Sequence, residues 1–564
     1  MKQKLLLFTA VGISLIQLSC KRNTDLDQAG KSHSINAKSS TLVTAAALNA
    51  GGFVTNPVNL NIVYFVPTDN PAPSDYKTRL SDLLIYLQNY VKGEMNRNGF
   101  GDKTFGMPID PVTNRVRFIE IPAQEGQAGY PYSASVSAGK ILNEIAVYKA
   151  AHPTLFSSNN HTLILLPKRT DVFDQPYYGY GRNCFAVDHS GLSVANLGNS
   201  SQTSTLIGGM LHELGHGLNL PHDDAKESEI TPLGTSLMGN GNSTFGYSKT
   251  FISYADCAIL NRNEVFQSTS GGSFYGSATT SSNITQFTYD AVNKTITLGG
   301  KTTSTATVSH ILPFYKSAIS REIAWGAPVI GTDSFKIVSK VTDLKNRTNI
   351  NYTIQLRTLL TNGSIARTDY SFKFVGDVPT LIDSATLTQN CSYGGYNVRV
   401  EYGSYTTADL TAKGISDNDI SALKLGIGNK ITLYDGDNFS GTTLSLLKDD
   451  DCLADNSFND KASSFIFLPV AVGNTLKANF YKHCSYGGYN IVLGIGGYTT
   501  AQLTAAGITN NDISSIKVPA GLKVTLYADD NYRGTKYVIN SNTNVSCLPA
   551  AFNDSTSSLI ISRN

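Results

Sequence analysis

Charge is scarce in this chain of 564 residues: Asp, Glu, Lys and Arg make up 16% of it and nearly cancel, to a formal net charge of +2. No long basic run occurs, so the electrostatic footprint of a nucleic-acid-binding protein is missing. Long apolar runs are missing too, save one near the N-terminus, and no other stretch is apolar enough to span a bilayer. Tryptophan occurs once, at Trp325. Ser, Thr, Asn and Gly are abundant instead, a composition common in extracellular β-rich proteins. A chain of this length is too long for one core, and about three to five domains are expected.

The single apolar run, 5–18, follows Lys2 and Lys4 and is too short for a comfortable membrane span. It ends at Leu18-Ser19-Cys20, so residues 1–20 read as a signal peptide. A small residue before a cysteine resembles a bacterial lipoprotein cleavage site, which implies Cys20 as the lipid acceptor. Gln17 departs from the aliphatic residue usual there, and simple cleavage nearby is the alternative. Either way the mature chain is expected outside the cytoplasm, as an outer-membrane or cell-surface lipoprotein or as a secreted protein. Residues 21–50 are polar and poor in aromatics, and read as a flexible tether or pro-segment. Of the seven cysteines, six remain once Cys20 is set aside, an even number that suggests disulfides in an exported chain.

The strongest chemical signal is 205–223, TLIGGMLHELGHGLNLPHD. His212 and His216 stand four apart, so a helix presents both imidazoles on one face. Leu206, Met210, Leu214 and Leu218 bury the opposite side. Glu213, beside the first histidine, can reach a metal-bound water without itself coordinating. A third ligand must come from beyond the helix. Asn219 tolerates the left-handed turn required, Pro221 forbids further helix, and His222 can swing back to the metal. Three neutral imidazoles with one position left for water are the form of a catalytic zinc site.

H-E-x-x-H-x-x-G-x-x-H followed by a methionine turn is the pattern of the metzincin zinc endopeptidases, which this stretch resembles, with Asn219 in the glycine position. Ser236-Leu237-Met238-Gly239 resembles the methionine turn, which implies Met238 as a hydrophobic floor under the zinc. Gly215 and Asp223 are most similar to the adamalysin (reprolysin) branch. The resemblance further implies a Cys184–Cys257 disulfide, and that the strand nearest the cleft pairs with extended substrate. No cysteine-switch motif precedes the domain, although Asp25 or Asp27 could cap the zinc. His152, His161 and His189 are read as surface or core residues, and Tyr247 as a packing aromatic rather than an oxyanion donor.

Around this helix, an α/β order is expected over 51–267. Strands are predicted at 61–66, 116–121 and 161–167, helices at 76–95 and 138–151, and a closing helix at 251–266. Residues 268–283, rich in Ser, Gly and Thr, read as a linker. Short alternating runs over 284–378 predict an immunoglobulin-like β-sandwich with Trp325 in its core, a spacer or binding module.

The tail is an internal repeat. Cys391-Ser-Tyr-Gly-Gly-Tyr-Asn397 returns as Cys484-Ser-Tyr-Gly-Gly-Tyr-Asn490, and Cys452 returns as Cys547. Within each copy an aromatic, four residues, an aromatic, one residue and a glycine recur, as in Tyr434, Phe439 and Gly441; at Thr388, Tyr393 and Gly395 the first aromatic is lost. This resembles the βγ-crystallin Greek key, two keys per domain, in domains 379–470 and 471–564. Equivalent positions should close equivalent loops, as Cys391–Cys452 and Cys484–Cys547. A second signature, Asn/Asp-Asn/Asp-x-x-Ser/Thr-Ser, resembles that of calcium-binding microbial βγ-crystallins. It is complete at 459–464, 510–515 and 553–558, and departs at Ala422 in 417–422. The implied calcium ligands are Asn418, Ser421, Asp460, Ser463, Asn511, Ser514, Asp554 and Ser557, whose oxygen chemistry suits Ca²⁺.

The sequence therefore predicts a monomeric, exported zinc endopeptidase with Glu213 as general base, His212, His216 and His222 on zinc, and calcium in its accessory β domains. Its partners would be a protein or peptide substrate, with surface glycan or protein recognised by the β domains. The alternative is a calcium-dependent surface adhesion protein carrying a weakly active or restrained protease-like domain.

Overall fold

The computed structural model describes residues 50–131, 136–157, 159–170, 177–198 and 201–564. The signal segment, Cys20, Asp25, Asp27 and the 21–49 tether lie outside the described residues.

The first unit is built on a five-stranded sheet in the order β2-β1-β3-β5-β4. Its strands are β1 (Asn61–Val66), β2 (Ile119–Pro122), β3 (Thr162–Pro167), β4 (Tyr177–Tyr180) and β5 (Asn183–Asp188). The central strands are parallel and read as continuous apolar runs because both faces are covered. β4 alone is antiparallel and forms one edge. On one face lie α1 (Tyr76–Arg97) and α3 (Ser201–Gly217); Leu80, Leu83, Leu84, Leu87 and Val91 of α1 bury their stripe with Met210, Leu211 and Leu214 of α3. The other face is covered by α2 (Ala138–Ala151) through Ile141 and Ile145.

After α3 the chain makes α4 (Glu227–Leu233) and a two-strand clasp, β6 (Thr235–Ser236) with β7 (Thr250–Phe251), that brackets Met238. The closing helix is shorter than predicted. α5 (Tyr254–Leu260) stops at Asn261, and a separate 3-10 turn covers Glu264–Phe266. The break has a local cause: the Asn263 side chain accepts from Val265 N at 3.1 Å, an alternative to continued helix.

The second unit has two packed sheets. One holds β8 (Thr280–Asp290), β9 (Thr295–Ser304) and β13 (Ser334–Lys340); the other holds β10 (Val308–Ser317), β11 (Ile323–Ala324), β12 (Ala327–Pro328), β14 (Asn351–Leu360), β15 (Ile365–Val375) and β16 (Val378–Thr380). Trp325 is buried in this core, edge-on to Tyr315 at 5.1 Å. The segment expected to be a linker is largely ordered. β8 already begins at Thr280, and Tyr275 is pinned between His161, at 2.7 Å, and the Arg182 guanidinium, 3.9 Å above its ring.

The tail forms two similar units of two sheets each. The first pairs a three-stranded sheet with a four-stranded one, and the second has two four-stranded sheets. Disulfides Cys391–Cys452 and Cys484–Cys547 are present. Cys184 and Cys257 are not joined: both are free and buried. They sit in different surroundings, Cys184 under α3 with its thiol toward Met210 O and Cys257 on α5 with its thiol toward Glu94 O. The resemblance-based pairing of these two is therefore wrong for this chain.

Candidate active site

The end of α3 builds the site. Asn219 takes φ 72°, Asn219 N donates to His216 O at 2.9 Å and Leu220 N donates to Gly215 O at 2.9 Å. These two bonds form a Schellman motif, which ends the helix and turns the chain without leaving its last carbonyls unpaired. Arg182 Nε reaches Asn219 Oδ1 at 3.4 Å and supports the turn. His161, fully buried, places Nδ1 2.6 Å from Gly217 O, another carbonyl at this helix end. Burial pulls its imidazole down to about 3, so the ring is neutral, donating from Nδ1 and accepting the Tyr275 hydroxyl at Nε2. That is a structural role, apart from the three-histidine cluster.

Past the turn, His222 returns to the helix. The ligand atoms of His212, His216 and His222 all lie within 4.8 Å of one another. His212 Nδ1 donates to Leu237 O at 2.7 Å and His216 Nδ1 to Leu220 O at 2.8 Å. Those bonds fix the tautomer that presents Nε2 to a metal, the outer support that ligating histidines ordinarily have. Burial lowers His212 to about 4, with Arg321 pushing the same way, so it stays neutral and competent to ligate. Three imidazoles converging at this spacing fit zinc, whose bonds to nitrogen are about 2.0–2.1 Å.

Two glycines make room for the cluster. A Cβ on Gly215 would meet Met238 Sδ at 2.6 Å, so the buried Met238 packs directly against the ligand helix. A Cβ on Gly179, in edge strand β4, would lie 3.0 Å from Glu213 Oε2 and 3.3 Å from His216 Cβ. Glu213, the residue after His212, is 2% exposed, so its side chain has little freedom. Asp223, 1% exposed, links the His222 loop to the Met238 turn, with Asp223 N donating to Met238 O at 3.3 Å. Burial pushes its carboxyl up, and Lys226 draws it back down. Tyr247, by contrast, is 62% exposed and packs in no core.

The tail residues with the calcium signature meet in pairs. Ser421 Oγ is 2.8 Å from Asp460 Oδ1 and Ser463 Oγ is 3.1 Å from Asn418 Oδ1. The second domain repeats this, Ser514 with Asp554 at 2.8 Å and Ser557 with Asn511 at 3.2 Å. Each key thus lends its Asn or Asp to the other key's Ser. The last serine of the signature fastens a hairpin instead, since Ser464, Ser515 and Ser558 each accept from the backbone N–H of Phe439, Tyr486 or Tyr532. Where Ala422 replaces it, Thr388 Oγ1 bonds Ala422 O at 3.0 Å and Lys424 lies 4.5 Å over the Tyr393 ring. The departure at Ala422 therefore removes a hairpin fastening and leaves the oxygen pair intact.

Gly179, Arg321 and the carbonyls of Leu220 and Leu237 were not legible as site residues. Gly179 lay in a Tyr/Gly-rich stretch, the only signal available; the rest depend on chain folding.

No family model matches this chain. Wild-type OgpA from Akkermansia muciniphila is 32% identical, with 59% of this chain and 97% of OgpA aligned at a TM-score of 0.54. A catalytically inactive OgpA bound to an O-glycopeptide substrate, glycodrosocin, matches at 32% identity and a TM-score of 0.54, over 59% of this chain and 96% of that one. Development-specific protein S of Myxococcus xanthus is 35% identical over 177 residues, 31% of this chain and 98% of that protein. The chain belongs to the family of OgpA, and over 177 residues to that of Development-specific protein S.

Proposed function

We propose that this chain is an exported zinc endopeptidase that cleaves O-glycosylated peptides. The observation that carries the reading is the convergence of three histidine ligand atoms within 4.8 Å, with Glu213, the residue after His212, buried. The glycopeptide part comes from OgpA, 32% identical and crystallised with an O-glycopeptide substrate.

When bound, zinc would acidify a water and polarise the scissile carbonyl. His212, His216 and His222 would hold it. Glu213 would take a proton from the attacking water on its carboxylate and pass it to the leaving amine. β4, at the sheet edge, is placed to align an extended substrate strand along its outer side. In the tail, the paired oxygens of Asn418, Ser463, Asp460 and Ser421, and of Asn511, Ser557, Asp554 and Ser514, support calcium sites shared between keys.

The test is cleavage of an O-glycopeptide and its unglycosylated twin by the full chain and by Glu213→Ala. The glycopeptide is expected to be cut by the native chain, and a chelator to stop it. Glu213→Ala should keep its zinc and lose roughly 10²–10⁴-fold in rate. Equal activity of variant and native chain would sink the peptidase assignment, and equal cleavage of both peptides its glycopeptide part.

A further inference from the structure

His222 is the one ligand off the helix. It sits on an irregular stretch between α3 and α4, where no backbone ladder fixes its position. A ligand in such a place needs outer contacts to hold it. Inside its own domain the loop has the bond from Asp223 N to Met238 O. Further contacts come from the β-sandwich.

A single turn of the sandwich, ahead of and including β11, meets the loop. Ala324 N donates to Asp223 Oδ1 at 3.1 Å, and Asp224 N donates to Glu322 O at 2.7 Å. Arg321 donates to Gly239 O, directly after Met238, and Lys345 Nζ pairs with Asp224 at 3.1 Å. Behind these polar contacts, Ala255 and Ala258 of α5 share one apolar cluster with Leu312, Phe314, Ala324 and Leu359 of the sandwich. The two residues that follow His222 and the residue that follows Met238 are thus fastened to another domain.

We propose that the sandwich is a positioning element for the metal: the 321–324 turn and Lys345 hold the His222–Asp224 loop in its ligating position. This rests on the zinc peptidase reading above. It replaces the expectation of a spacer. Because coupling between two binding events is reciprocal, zinc should in turn strengthen the docking of the sandwich.

The test uses the full chain and reads zinc competition against a chromogenic chelator, together with the rise in melting temperature on adding zinc. Arg321→Ala combined with Lys345→Ala alters only sandwich residues, and is expected to weaken zinc retention roughly 10- to 100-fold, the usual effect of removing outer support. Asp223→Ala should do the same, whereas Asp223→Asn, which keeps an oxygen for Ala324 N–H, should restore most of it. Lys301→Ala, which breaks the exposed Lys301–Asp333 pair on the other sheet, should retain zinc as the native chain does. A folded Arg321→Ala/Lys345→Ala chain that holds zinc as tightly as the native one would overturn the proposal, whatever Asp223→Ala does. A native chain that takes up no zinc would overturn the peptidase reading first, and this inference with it.

Discussion

Gly179 faces Glu213 Oε2 across a gap where a methyl carbon would stand 3.0 Å away. A contact at that distance makes its neighbour give by a few tenths of an ångström, and the neighbour here is the proposed general base. Gly179→Ala should therefore fold and keep zinc but lower kcat, by less than the roughly 100-fold expected for a full ångström of misplacement. Unchanged kcat would mean that Glu213 has more room than its burial implies. His161 gives a pH prediction of definite sign. Burial depresses its folded pKa to about 3, from an ordinary value of 6.5. Between those values the unfolded chain binds a proton that the folded one refuses. The native chain thus loses stability as pH falls from about 6.5 toward 3, at up to about 1.4 kcal/mol per pH unit from this group. His161→Gln should flatten that stretch of the stability profile relative to the native chain. An unchanged slope in denaturant melts at pH 6, 5 and 4 would refute it. Residue types at the histidine cluster were readable from spacing, because i and i+4 on a helix face one way. Gly179 was not, because nothing local says which side chain lies across from a strand.

At the scale of elements, the α3 terminus was legible in outline: Asn219 does adopt the left-handed conformation, at φ 72°. The predicted 251–266 helix failed because asparagine side chains compete with helical bonds, a preference that apolar periodicity does not register. The Greek keys carry two further predictions. Each disulfide spans 61 or 63 residues, so in the chain-entropy model each stabilises its domain by about 4 kcal/mol. Cys484→Ser with Cys547→Ser should lower the melting temperature of the second tail domain and leave zinc binding alone; an unshifted melt would show that the loop is constrained by other means. Calcium at millimolar concentration should raise the tail transition of the full chain. Because Asp460 meets Ser421 of the other key, and Asp554 meets Ser514, Asp460→Ala should abolish one proposed shared site in the first domain, and Asp554→Ala its counterpart in the second. Melting curves insensitive to calcium would leave those oxygens as turn chemistry.

Across the whole molecule, neighbouring units share cores and do not simply follow one another. Ile427 and Val472 of the tail are buried in the sandwich cluster, and Arg563 near the C-terminus reaches Asp383 and Gly428 O in the first tail domain. The cluster that joins α5 to the sandwich predicts that residues 51–378 unfold in one calorimetric transition. Two well-separated transitions, one for each domain, would contradict it. What the sequence determined by itself were features with short-range or periodic causes: the ligand histidines on one helix face, the stop after Leu218, the apolar strands, the repeated cysteines and the alternating sandwich strands. Tertiary structure decided the rest. It left Cys184 and Cys257 apart, turned an expected linker into an anchor through Tyr275, set Gly179 against Glu213, and brought Arg321 and Ala324 to the loop of His222. The physical reason is that these contacts join residues far apart in the chain through backbone atoms and close packing, which any sequence can supply and no local pattern announces.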